Sequence, residues 1–274
     1  MTLCISLRQS DRSILTLSDS RLTLEAEGKV WTTDQAVKMH YASQSLNAYG
    51  SERMDIVFAV SGTLSLGLQS ILFVDAYLQG LSHTWDSQIV GIINDKFWDF
   101  WSDAISKDIS YSIALHGHKS EPKIYEWSCP GGAALPSFKR VEEEHGMLFS
   151  VHGDGAEATH ARILMQVNAC CLSVGCPPEA ALPFAAIREL SAAINDPERR
   201  YIGGHIQACL LQSNVAKHLI CCTALEHRLR SACLDEVAYL RPSYRSLDLM
   251  HPWLDSAEPL HDLMQTIPMQ PMII

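Results

Sequence analysis

The chain has 274 residues, 47% hydrophobic and 19% charged, which is enough apolar material for one large domain or two small ones. A net charge of −10 with no Lys/Arg run argues against a nucleic-acid partner, because a phosphate-contacting surface needs a basic excess. Apolar stretches such as Ile56–Val60 are soon broken by polar residues, which excludes a membrane span, and no charged leader precedes an apolar core in residues 1–8, so a cytoplasmic protein is expected.

Residues 2–19 read as a β-hairpin. Leu3, Ile5 and Leu7 alternate with Thr2, Cys4 and Ser6, and Ile14–Asp19 supplies the return strand beyond the polar turn Gln9-Ser10-Asp11-Arg12. If Arg8 pairs with Ser13, Thr2 falls directly opposite Asp19. Short strands follow at Lys29–Trp31 and Val37–Tyr41. The continuous β-prone run Ile56–Val60 suits a strand covered on both faces, and Ser61-Gly62-Thr63 then opens a helix through Leu78. A second helix over Trp85–Trp101 places Ile89, Ile93, Phe97 and Phe100/Trp101 at helical spacing, which predicts a core face.

Strand signals return at Tyr111–His116 and Lys123–Trp127, then at Met147–Val151, which leads into His152-Gly153-Asp154-Gly155. Two helices are predicted next, Ala158–Leu172 and Pro183–Ile194, with Pro183 in the first turn where its missing N–H costs little. Ile206–Gln212 and Val215–Cys222 form a second hairpin. Strands, two helices, strands, two helices and strands in that order predict an α+β domain of helices layered on two mainly antiparallel sheets. Residues 224–240 read as a further helix and 241–274 as an irregular tail.

Nine cysteines, an odd number without an export signal, do not suggest a disulfide framework. Cys170 and Cys171 fall in an apolar helical stripe with Ile163, Leu164 and Val167, so they read as core thiols. A metal site built on them with Cys176 lacks the usual pair spacing. His116-Gly117-His118 and His152 read as loop histidines near strand ends. No metal and no cofactor is expected.

Several motifs, taken together and in order, resemble the proteasome β-subunit family, and among its members the bacterial Anbu proteins. Met1-Thr2 stands where that family has its mature N-terminal threonine, and Leu17-Ser18-Asp19-Ser20-Arg21 looks like its Asp-Ser-Arg segment. Val37-Lys38-Met39 matches its lysine strand, and Val60-Ser61-Gly62-Thr63 matches its glycine turn. The resemblance covers roughly residues 2–223. It implies a four-layer αββα N-terminal-nucleophile (Ntn) hydrolase sandwich over residues 1–223. Residues 224–274 would be an extension packed on the same domain or on a neighbouring subunit.

What the resemblance implies for chemistry is a threonine peptidase or amidase. Thr2, freed by removal of Met1, would attack an amide carbonyl and form an acyl-enzyme. Its own α-amine would serve as the base. Lys38 would stabilise negative charge on the Thr2 oxygen, Asp19 would fix Lys38, and the Gly62 N–H would face the oxyanion. Ser20, Arg21 and Asp154 would support the site. The expected partners are a peptide or small amide substrate and further copies of the chain in a ring or helical assembly.

Three positions depart from the family pattern. Arg199 and Ile202 fall where an acid and a serine usually precede the Gly203-Gly204 pair, and Asp154 stands where a serine usually does. The departures at Arg199 and Ile202 favour one alternative, a catalytically inactive scaffold subunit; an Ntn amidase for small molecules is another.

Overall fold

The computed structural model describes residues 2–10, 13–26, 29–33, 36, 38–46, 53–82, 84–102, 108–117, 120–129, 135–204, 206–212 and 215–222. Its strands are β1 (Leu3–Ser10), β2 (Ser13–Asp19), β3 (Leu22–Ala26), β4 (Lys29–Thr33), β5 (Met39–Ser45), β6 (Arg53–Gly62), β7 (Ile109–Gly117), β8 (Lys123–Cys129), β9 (Ser137–Arg140), β10 (Phe149–Gly153), β11 (Ile206–Gln212) and β12 (Val215–Cys222). Its helices are α1 (Leu64–Gly80), α2 (Asp86–Trp101), α3 (Ala156–Val174) and α4 (Pro178–Ile194). The expected extension over residues 224–274 lies outside the described residues.

One five-stranded sheet runs β10-β1-β2-β11-β12 and the other β5-β6-β7-β8-β9, with β3 and β4 as a separate pair. Every described pairing is antiparallel. Alternation along β1 sorts its residues between layers. Leu3, Ile5 and Leu7 face α3 and α4, in a core with Ile163, Val167, Leu182 and Leu190. Cys4 faces the other sheet, among Met39, Val57, Ala59 and Cys209. On the far side of the second sheet, α1 and α2 close another core around Phe58, Phe97, Tyr111 and Trp127. The result is helices, sheet, sheet, helices: the αββα sandwich.

The stripe on α2 behaves as its spacing predicts. Ile89, Ile93, Phe97 and Trp101 are all buried, and each such side chain removed from water contributes about 1.5–3 kcal/mol. Phe97 stacks on Tyr111 at 4.3 Å between ring centroids. The Trp101 indole N–H donates to the Tyr111 hydroxyl at 3.1 Å, which gives two of the polar tips in this core a partner. Between the sheets runs a short hydroxyl relay. Ser112 donates to Ser6 at 2.6 Å, and Ser6 lies 3.2 Å from Thr16.

Three expectations need correction. The hairpin register is Cys4↔Ser18 through Arg8↔Ile14, with an irregularity between Arg8 and Ser10. The extra residue shifts the strands by one, so Asp19 comes opposite Leu3 rather than Thr2. Helix α4 begins at Pro178, not Pro183. Pro178 occupies the tolerant first turn, and Pro183 is buried inside the helix. Cys170 and Cys171 are half-buried at the edge of the α3–α4 core rather than within it.

Candidate active site

The site forms where the C-terminal end of β2 meets the start of β1. Asp19 is the last residue of β2 and is fully buried. Its Oδ1 accepts the Leu3 N–H at 3.0 Å. Its Oδ2 accepts the N–H groups of Arg21 at 3.2 Å and Gly203 at 3.1 Å, and the Lys38 ammonium at 3.0 Å. Burial pushes the Asp19 carboxyl up from its ordinary value, and Lys38 first, then the Leu3 and Gly203 N–H groups, work against it. All four of these neighbours donate, an arrangement that suits an ionised carboxylate and not an acid O–H.

Lys38 immediately precedes β5 and is also fully buried. Its backbone is held on both sides. The N–H donates to Gln207 Oε1 at 3.1 Å, and the carbonyl accepts the Val60 N–H at 3.0 Å. Gln207 also donates from Nε2 to the Ala36 carbonyl. A residue of the first sheet (Gln207, on β11) thereby aims a lysine of the second at Asp19. An ammonium has three donors, and Asp19 occupies one of them.

Thr2 is fixed through its main chain. Its carbonyl accepts the Asp154 N–H at 3.0 Å, and the following N–H is the one that reaches Asp19. β1 pairs with β10 so closely here that a Cβ on Gly153, at φ +102°, would lie 1.6 Å from the Thr2 carbonyl oxygen. Ser20 is fully buried; its N–H and that of Arg21 both donate to the Gly203 carbonyl, at 3.2 and 3.1 Å. The Arg21 guanidinium lies over Gly203, where a Cβ would sit 2.3 Å from its Cζ, and donates to the Ile202 carbonyl at 3.4 Å.

Thr2, Asp19, Ser20, Arg21 and Lys38 are thus tied into one bonded cluster, and Asp154 joins it through its N–H. Gly62 ends β6, two residues beyond Val60, whose N–H holds Lys38. At φ +105° its Cβ would lie 2.2 Å from the Asp108 carbonyl oxygen, so the turn itself requires glycine there. The departing positions have other roles. Ile202 is a core residue beside α4. Arg199 packs beneath Gly155, reaches Thr159 Oγ1 at 3.4 Å and pairs with Asp196 at 3.6 Å.

Sequence reasoning missed Gln207, Gly153 and Gly203 as parts of this cluster. Gln207 stood in plain alternation on its strand, a buried amide with nothing local to distinguish it. The two glycines were visible in Gly153-Asp154-Gly155 and Gly203-Gly204, but what approaches them comes from distant segments. Among the described residues, no group of three or more His, Cys, Asp or Glu is arranged to hold a metal ion, and no helix is long and apolar enough to cross a membrane.

No protein-family model and no curated protein matches the sequence. Solved structures do match the fold. A mutant Anbu from Hyphomicrobium sp. strain MC1 superposes with a TM-score of 0.57 at 13% identity, covering 88% of this chain and 100% of that one. Anbu from Yersinia bercovieri gives 0.57 at 10%, covering 98% and 99%. The Anbu complex from Pseudomonas aeruginosa, solved as a helical assembly, gives 0.55 at 12%, covering 98% of both chains. The chain has the proteasome-related fold of the Anbu proteins.

Proposed function

We propose that the protein is an N-terminal-threonine hydrolase that cleaves amide bonds through a Thr2 acyl-enzyme. The observation that carries this reading is the buried Asp19–Lys38 pair, bonded to the main chain at the residue that follows Thr2. A fully buried ion pair is costly to desolvate, so its presence beside a threonine at a strand end calls for a purpose beyond stability.

Thr2 is buried in the full chain, and the reading requires removal of Met1 to free its α-amine. The freed α-amine then takes the proton from Thr2 Oγ1, since an unperturbed amine titrates near pH 8. The oxygen attacks the substrate carbonyl, the leaving amine departs with a proton, and water hydrolyses the resulting ester. Lys38 lowers the cost of negative charge on Oγ1, and Asp19 keeps Lys38 in position. The Gly62 N–H serves the oxyanion. Ser20 and Arg21 hold Gly203 in the connection before β11, and Asp154 holds the Thr2 carbonyl. Like the helical Anbu complex, the chain would assemble with copies of itself, and it would work in the cytoplasm.

The same residues support a second reading, a scaffold that keeps the fold without turnover. What favours it is Ile202, a core side chain where the family usually has a serine. Turnover of fluorogenic peptide amides and of small acyl amides by the purified, Met1-processed protein separates the readings. The hydrolase reading expects turnover that Thr2→Ala abolishes and Lys38→Met lowers by about 10²-fold or more. Background rates unchanged by Thr2→Ala would favour the scaffold, and cleavage of small amides alone would narrow the substrate to small molecules.

A further inference from the structure

Three cysteines gather on the side of the molecule built by α3 and α4. Helix α3 ends at Val174, and Gly175 follows in the left-handed region at φ +66°, donating its N–H to the Cys171 carbonyl at 3.0 Å. This is the reversal in which the residue after the left-handed one folds back over the last full turn of its helix. The residue after Gly175 is Cys176, and the last turn carries Cys170 and Cys171. The same reversal brings Cys176 back towards Cys170, with the Cys176 thiol donating to the Pro177 carbonyl at 3.5 Å. Cys170 and Cys176 line the same cleft of about 260 Å³, with Ala181, Phe184 and Arg188 of α4 on its far wall. All three cysteines are half-buried, and none is in a disulfide.

We propose that Cys170 and Cys176 are a redox-active pair that closes to an intrachain disulfide when the protein meets hydrogen peroxide. One thiolate attacks the peroxide, taking an oxygen to become a sulfenic acid while the first water leaves. The second thiol's sulfur displaces that oxygen as a second water, and the S–S bond forms. The two thiols together lose two hydrogens and two electrons, and the peroxide is reduced to two waters. Burial first, and then the neighbouring Cys170, pushes the Cys176 thiol up, which leaves less of it as the attacking thiolate. Cys171 is one residue from Cys170 on the helix, and adjacent residues do not face each other there. It is the bystander. Closure ties the end of α3 to its connection with α4 and fixes one wall of the cleft.

Trypsin releases residues 163–188, all three cysteines included, as one peptide, since no Lys or Arg lies between Arg162 and Arg188. The full chain is treated with hydrogen peroxide, the remaining thiols are alkylated under denaturing conditions, and the alkyl groups on this peptide are counted by mass spectrometry. The pair proposed here gives one alkyl group, on Cys171, and Cys171→Ser gives none. Cys170→Ser and Cys176→Ser each leave both remaining cysteines alkylated. Three alkyl groups after peroxide would overturn the proposal. So would a bridge that survives Cys176→Ser, a peptide linked between two chains, or conversion to sulfinic acid without a bridge.

Discussion

The Asp19–Lys38 pair sets the behaviour of the site at the level of single residues. Asp19 has four donors and Lys38 is fully buried, so the two substitutions that break the pair are unequal. Asp19→Asn leaves a buried ammonium without its counter-charge and turns one accepting oxygen into a donor facing other donors. The expected loss is about 3–5 kcal/mol in urea unfolding. Lys38→Met leaves a carboxylate that keeps the Leu3, Arg21 and Gly203 N–H groups, so it should cost less; the reverse order would contradict this account. A second residue governs pH. His152 on β10 is buried, which lowers its pKa more than Glu126, 3.5 Å away, raises it, and Lys139 lowers it further. The unfolded chain takes up a proton near pH 6.5 that the folded ring refuses, so stability is lost as pH falls below that value, by up to about 1.4 kcal/mol per pH unit. His152→Gln should flatten the slope in unfolding series between pH 7 and pH 5. Asp19 and Lys38 were legible in the sequence because each sat in a short local pattern. That Gln207 steers Lys38, or that Arg199 fills the space under Gly155, was not, because those contacts join segments far apart in the chain.

Strands and helices carried most of the fold's signal, because periodicity is a local property. β11 and β12 match their expected bounds, and α2 differs from its expectation by one residue. β3 and β9 were missed; both are short and sit beside polar or irregular sequence. The hairpin register failed by one residue because an irregularity between Arg8 and Ser10 leaves no mark on alternation. Close approaches between elements give the sharpest tests at this scale. Gly153→Ala would force a Cβ into the Thr2 carbonyl at φ +102°, and the expected cost is more than about 2 kcal/mol with loss of any turnover. Gly91, on the exposed side of α2, has nothing within 4 Å of where its Cβ would be. Gly91→Ala should therefore raise stability by about 0.5–1 kcal/mol, measured by the same unfolding series.

Across the whole molecule, two sheets pack face to face and each is covered by a helix pair, so the site lies at one end of the sandwich where β1, β2, β5 and β10 all arrive. The order of elements made this architecture readable before any contact was known, but assembly is a property of surfaces that no periodicity encodes. Light scattering on the purified full chain should give a mass well above that of one chain; a strictly monomeric protein would remove the assembly from the proposed function. The central claim concerns Thr2 and can be met directly. Intact-mass spectrometry of the protein, before and after exposure to an epoxyketone that reacts with a free N-terminal threonine, should show loss of Met1 and a single stoichiometric adduct that Thr2→Ala abolishes. Retained Met1 with no adduct would contradict the hydrolase account and leave a proteasome-like fold serving as a scaffold.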